Sequence, residues 1–243
     1  ATRCTRYDLP LIHAFNFTDF LYRPRRPAEL DTAQGGGVIL SQATHQIDMV
    51  RRIVANPVAS VRAWAGGWDA RAAEGAFTAL LSFENGAAAN LTYSGYARYD
   101  SDALAGWAGE LGGVKDPAAH GRARAALAAT DEQDAKAART FAAGNPGAAA
   151  PQRHERFGTM VALCEKADLE LTPHGVNVHG DEGMRSIAAP LPRVQRADVA
   201  DAFVRAVLDG EPPLFDGRWG LDSLAVCHAI LRSAREGCDI SPS

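Results

Sequence analysis

Phe77, Ala79, Leu81 and Phe83 share one side of a strict alternation, with Thr78, Leu80 and Ser82 on the other; after Asn85-Gly86 the pattern resumes, with Leu91 and Tyr93 set against Asn90, Thr92 and Ser94. A period of two is the signature of a strand. Asn-Gly between two such runs is a strong hairpin signal, because a two-residue turn needs positive φ. This pair of runs constrains the chain more than any other segment. It predicts an antiparallel sheet with one apolar and one mostly polar face, so that helices cover a single side. The open side is left for a ligand or another subunit.

The remaining elements fit that frame. Leu9 to Phe17 and Val58 to Ala65 read as strands, as do Thr159 to Cys164 and the alternating pairs Leu169/Leu171 and Val176/Val178, separated by the turn Thr172-Pro173-His174-Gly175. A helix is expected from about Leu40 to Val54, ended by Asn56-Pro57 because the residue before proline is pushed out of the helical region. Two more helices close the chain. In one, Ala200, Phe203, Val204, Val207 and Leu208 form the expected buried stripe; in the other, from about Trp219 to Arg235, Leu224, Cys227, Ile230, Leu231 and Ala234 face inward and Gly237 caps the end. Residues 102–150 are alanine-rich, with a helix expected from Pro117 to about Phe141 and Gly144-Asn145-Pro146-Gly147 as its stop; they read as a peripheral helical insertion. The order lacks βαβ alternation. The expected fold is α+β, a largely antiparallel open sheet with helices on one face, in a single domain over residues 1–243.

Composition narrows the function classes. At 243 residues, 47% hydrophobic and 22% charged, the chain can bury a sizeable core. A net charge of −4 gives no reason to expect nucleic acid or an anionic membrane as partner, and no apolar run is long enough to span a bilayer. Cys4, Cys164, Cys227 and Cys238 are widely spaced, which favours reduced thiols and a cytoplasmic location over a zinc or redox motif. Residues Ala1 to Asp8 lack a signal-peptide pattern. His174 and His179 have no further ligands in reach of a metal, Asp181-Glu182 reads as a turn, and no nucleophile elbow or glycosidase-type carboxylate pair is present.

Two segments carry candidate chemistry. Gly35-Gly36-Gly37 feeds the helix on which Ala43, Ile47, Val50 and Val54 form a core stripe, while Ser41, His45, Asp48 and Arg52 repeat the spacing on another face. An imidazole in the first turns beside a glycine hinge suits proton transfer at neutral pH; a surface or capped histidine is the alternative. The glycines are not GxGxxG, and the polar flank 28–34 is no buried strand, so no phosphate cradle is expected. Tyr22-Arg23-Pro24-Arg25-Arg26-Pro27 clusters three guanidinium groups stiffened by two prolines, either as an anion clamp or as a solvated basic loop.

With residues 16–27, the stretch from Gly35 to Asp48 and the ending from Asp216-Gly217-Arg218-Trp219-Gly220 through Ile230, the chain resembles the C-terminal half of the Gfo/Idh/MocA family of nicotinamide-dependent oxidoreductases. The arginine-proline loop and Ser41-Gln42 before His45 most resemble the branch that includes phthalate cis-dihydrodiol dehydrogenase. The resemblance implies a substrate-binding and oligomerisation domain whose sheet shapes the substrate site and a homo-oligomer interface. It implies His45 as the proton-handling catalytic residue, and Tyr22, Arg23, Arg25, Arg26, Ser41 and Gln42 as the substrate wall. NAD or NADP would be bound mainly by an N-terminal dinucleotide-binding domain absent from this chain, which alone is expected to be inactive, and the substrate would be a small CH–OH compound such as a carboxylated cyclic diol or sugar-like polyol. An aspartate often stands where this chain has Ser41. Serine can hydrogen-bond a hydroxyl there but cannot hold a negative charge. A non-catalytic module that self-associates through its sheet face is the rival reading.

Overall fold

A computed structural model describes residues 11–141, 151–194 and 196–242. Leu9, Pro10, Cys4 and the stop expected at residues 144–147 lie outside them. Eight strands form one sheet among the described residues: β1 (Leu11–Phe17), β2 (Val58–Gly66), β3 (Ala76–Phe83), β4 (Ala88–Ser94), β5 (Thr159–Leu163), β6 (Asp168–Thr172), β7 (Gly175–Gly180) and β8 (Gly183–Ala188), in the order β2-β3-β4-β1-β5-β6-β7-β8. Every neighbouring pair is antiparallel except β1 and β4, which run parallel from Leu11↔Ala88 to Phe17↔Ser94. The fold is thus α+β with a largely antiparallel, open, mixed sheet. The β7–β8 hairpin extends it beyond the strands read from the sequence.

The turn between β3 and β4 differs in detail from the two-residue form. Gly86 alone takes positive φ, at 87°; Asn85 does not, and its side-chain oxygen instead accepts from the amide of Ala87 at 3.2 Å. The last pair is Phe83 N–H to Ala87 C=O at 2.9 Å, which makes a three-residue loop ending in a left-handed glycine.

The alternation works as expected. Phe77, Ala79, Leu81 and Phe83 of β3, Ala89, Leu91 and Tyr93 of β4, Ile12 and Ala14 of β1, and Met160 and Ala162 of β5 are buried on one face. Helix α1 (Thr44–Val54) and helix α5 (Gly217–Glu236) cover them, contributing Ile47, Val50, Cys227 and Ile230, all with no exposed surface. Each such side chain stabilises the fold by about 1.5–3 kcal/mol relative to exposure. Burial pushes the Cys227 thiol up to about 12, with Asp48 adding to the shift, so it stays a neutral core group. The free edge of β2 is paired over one residue by the tail, Val61 with Ile240 at 2.9 and 3.0 Å.

Helix α1 starts later than its pattern suggests. Residues Ile39–Ala43 form a π-helical turn, and the α-helix begins at Thr44. Its polar stripe divides. Asp48 accepts from the indole of Trp219 at 3.1 Å and from the hydroxyl of Ser223, and Arg51 donates to Asp222, Ser223 and the Trp219 carbonyl while stacking on that indole at 4.1 Å. This end of α1 is therefore clamped to α5, whereas Ser41 and His45 remain exposed.

Two expectations are corrected. The single helix over 117–141 is a 3₁₀ turn (Pro117–Ala119) followed by α2 (Arg122–Ala128) and α3 (Glu132–Phe141), because the Asp131 carboxylate accepts from the amides of Gln133 and Asp134 and starts a new helix there. The stripe in α4 (Ala197–Val204) and the π turn Arg205–Asp209 is not buried: Phe203 is 70% and Leu208 76% exposed. In α5, Leu224 likewise faces out. Helical period shows which face seeks burial, and nothing among the described residues covers this one. No described helix is long and apolar enough to cross a membrane.

Candidate functional site

The glycine run is dictated by close approach. A Cβ on Gly36 would lie 2.4 Å from the carbonyl of Ala28, and one on Gly37, at φ 87°, would lie 2.3 Å from the Glu74 carboxylate. Glu74 closes the start of the helix: it accepts from the amide of Ile39 at 2.9 Å and from the Thr32 hydroxyl, while its carbonyl accepts from Val38 at 3.2 Å. The run therefore packs against protein and a carboxylate. That is the wrong chemistry for a pyrophosphate, which needs free amides and no competing anion. The glycine run therefore does not fit the phosphates of a dinucleotide.

Beside the glycines lies a cavity of about 240 Å³ lined by Phe20, Arg25, Arg26, Glu29, Gly35, Gly36 and Ser41 among others. The Ser41 hydroxyl donates to the Gly37 carbonyl at 2.5 Å, so toward a ligand its oxygen is left to accept. Gln42 is buried and donates to the Ser41 carbonyl at 3.1 Å. His45, one turn on, is exposed and lies with its ring centroid 4.8 Å from that of Phe157.

A chain of rings joins the histidine to the basic loop. Phe157 stacks on Tyr93 at 6.0 Å, Tyr93 meets Phe20 edge-on at 6.3 Å, and the Arg25 guanidinium sits 3.5 Å over the Phe20 ring. Burial pushes the Tyr93 phenol far above its ordinary range; Glu110 adds to this, against the hydrogen bond with Thr18 at 3.4 Å and the charges of Arg23 and Arg25. Tyr93 thus stays a neutral phenol at neutral pH.

The three loop arginines do not converge on one point. Arg23 pairs with Asp19 at 3.3 Å and lines a different, larger cleft. Arg25 and Arg26 share Glu29, at 4.0 and 3.4 Å, with Lys136 as a third cation at 3.3 Å. Burial would raise the Glu29 carboxyl, but the Arg26 amide, Lys136 and Arg25 outweigh it and hold the group below its usual range. A second carboxylate, Glu132, accepts from the Arg25 amide at 3.1 Å, so cations and acids alternate at this rim. An incoming anion would compete with Asp19 for Arg23 and with Glu29 for the other two. Tyr22 lies under the Arg124 guanidinium at 3.9 Å and away from the glycine cavity. The structure thus brings Arg25, Arg26 and Ser41 to one cavity with His45 nearby, and sets Tyr22 and Arg23 elsewhere.

Nothing local in the sequence marks Phe157 or Glu74, whose partners lie far along the chain, and strand alternation marks Tyr93 only as a core-facing residue. Among the described residues no three ligating side chains cluster, and His179 faces Glu170 at 3.5 Å.

Comparison with known proteins agrees with this architecture. Residues 9–115 match the model of the GFO/IDH/MocA C-terminal domain. The chain is 37% identical over 232 residues to the 1-carboxy-3-chloro-3,4-dihydroxycyclohexa-1,5-diene dehydrogenase of Comamonas testosteroni, covering 92% of this chain and 58% of that protein. A crystal structure from Bordetella bronchiseptica, named for an inferred dehydrogenase activity, superposes with a TM-score of 0.88 at 41% identity, covering 95% of this chain and 61% of that one. The WlbA dehydrogenase of Bordetella pertussis, solved with NADH and UDP-GlcNAcA, shares the fold at a TM-score of 0.54 and 20% identity, over 97% of this chain and 55% of its own. The chain spans about three fifths of the length of its more similar relatives, and it belongs to the Gfo/Idh/MocA family as a C-terminal domain.

Proposed function

We propose that this chain is the substrate-binding and oligomerisation domain of an NAD(P)-dependent dehydrogenase that oxidises a secondary alcohol on a carboxylated ring. What supports the reading is that Ser41, Arg25 and Arg26 line one cavity, with the exposed His45 one helical turn from Ser41. The named activity of the Comamonas relative, on a carboxylated cyclic diol, supports the substrate class. In this reading the imidazole takes the hydroxyl proton as the C–H hydride leaves, and the ring of Phe157 fixes the imidazole plane. Ser41 accepts a hydrogen bond from a substrate hydroxyl, Gln42 shapes the wall behind it, and Arg25 and Arg26 hold the carboxylate; Tyr22 and Arg23 contribute from the adjoining cleft. The nicotinamide carries the hydride and is supplied by the part of the relatives that lies outside this chain's span. The open sheet face, with Phe15, Phe17, Leu80 and Trp64 on it, is the proposed homo-oligomer surface.

The test uses the longer protein that contains this chain. His45→Ala should lower turnover about 10²–10⁴-fold if the imidazole handles the proton. Arg25→Gln should raise KM for a carboxylated substrate more than for its neutral analogue. An unchanged rate removes His45 from the mechanism, and equal KM effects remove the arginine from carboxylate binding. The 243-residue chain alone should neither bind NADH nor turn over; tight NADH binding by it contradicts the domain assignment.

A further inference from the structure

A cavity of about 760 Å³ lies between the loop after β4 and the start of α2, within the size range of small-molecule sites. Its wall carries five cationic side chains, Arg23, Arg98, Lys115, Arg122 and Arg124, against three acids. Each of its three acids already has a partner: Asp19 holds Arg23 at 3.3 Å, Asp100 holds Lys115 at 2.7 Å, and Asp116 holds Arg122 at 3.1 Å. Two further guanidinium groups line the cavity with no carboxylate among the described residues, Arg98 and Arg124. Arg98 is exposed. Arg124 is aimed by its environment: one amino group donates to the carbonyls of Tyr96 and Ala97, the latter at 3.1 Å, while its plane lies on the Tyr22 ring. That anchoring leaves its second amino group as an oriented donor.

The aromatic part of the wall is held under strain. Trp107 stands at φ 63°, a left-handed conformation rare for a bulky side chain. Hydrogen bonds on both sides lock it there, its amide donating to the Asp102 carbonyl and its carbonyl accepting from Lys115, each at 2.8 Å. Asp102 is in turn fixed by the buried Arg156 at 3.2 Å. A conformation of this cost persists only where the surroundings impose it, and here it turns an indole toward the cavity beside the exposed Tyr99.

We propose that this cleft is a binding site for a small planar ring carrying a carboxylate or phosphate, with Arg98 and Arg124 as the anion contacts and Trp107 and Tyr99 as the ring contacts. The site is read from binding geometry alone, without cofactor or turnover, so its failure and the failure of the dehydrogenase reading are separable.

Calorimetry on the 243-residue chain with benzoate, phenyl phosphate and neutral benzamide tests it. Benzoate or phenyl phosphate should bind saturably, quench Trp107 fluorescence and weaken with added salt. Arg98→Gln should raise Kd about tenfold, the effect of one lost charge-assisted contact. Arg62→Gln, on β2 and paired with Asp239, should leave Kd unchanged. Trp107→Phe should abolish the quenching while calorimetric binding remains. Tighter binding of phenyl phosphate assigns the natural ligand a phosphate, and tighter benzoate assigns it a carboxylate. The proposal is overturned if benzamide binds as well as the anions, if Arg98→Gln and Arg62→Gln behave alike, or if no probe binds saturably at millimolar concentration.

Discussion

The two halves of the sheet are built from similar strands but finished differently. From β2 to β5, helices α1 and α5 seal one face, and Ile12, Leu91, Ile47 and Ile230 lie fully buried between them. From β6 to β8 the cover ends: every residue of β8 is exposed, and α4 shows Val199 and Phe203, each 70% exposed, to the surroundings. The contrast separates two properties often treated as one. An apolar stripe is a property of a segment, whereas its burial is a property of what else is present.

The largest effect should fall on the sealed half. Asp102 and Arg156 are 1% and 2% exposed and 3.2 Å apart. Asp102→Ala would strand the guanidinium, costing about 3–5 kcal/mol as read by urea denaturation. A loss below about 1 kcal/mol would mean that water reaches the pair and that this half is less sealed than it looks. Ile230→Ala, at a residue with no exposed surface, should cost about 2–5 kcal/mol through the cavity it leaves.

A pH effect of intermediate size tests the same region. Burial disfavours the Lys115 ammonium, but the hydrogen bonds it donates to Asp100 and Asp102 outweigh this and raise the group above its ordinary 10.5. A raised value means that the stability it lends is fully present below 10.5 and is lost as pH climbs through the higher folded-state value. Lys115→Met should therefore flatten the alkaline fall in stability, as followed by thermal unfolding at successive pH values. An unchanged alkaline slope would remove Lys115 from the linkage.

The smallest effect should come from the bare half. Phe203→Ala should change stability by no more than about 0.5 kcal/mol, as expected of an exposed side chain. A loss above about 1 kcal/mol would show that the α4 face is covered in solution, and the contrast between the halves would then belong to this chain alone and not to its assembled form.

Parts of the site were legible and parts were not. His45 and Ser41 could be marked because helix spacing and a glycine run are local signals. The convergence of three arginines could not be judged, since Asp19 and Glu29, which draw Arg23 away from Arg25 and Arg26, are ordinary acids in sequence. Phe157 reaches His45, and Glu74 reaches Gly37, only through pairings that no spacing encodes. The larger cleft was hidden for the same reason, its cations coming from residues 23 to 124.

The sequence by itself determined the strands from β1 to β7, the open sheet and the covered face, because alternation and helical period are written residue by residue; β8 carries no such alternation. The sequence also set the positions of the glycines and the candidate histidine. Tertiary structure alone decided which charges meet, that a π turn precedes α1, which of the two closing helices is buried, and that Trp107 is held left-handed at a cavity wall. Those outcomes depend on distances between segments far apart in the chain, and a local pattern fixes what a segment can bury without fixing what it meets.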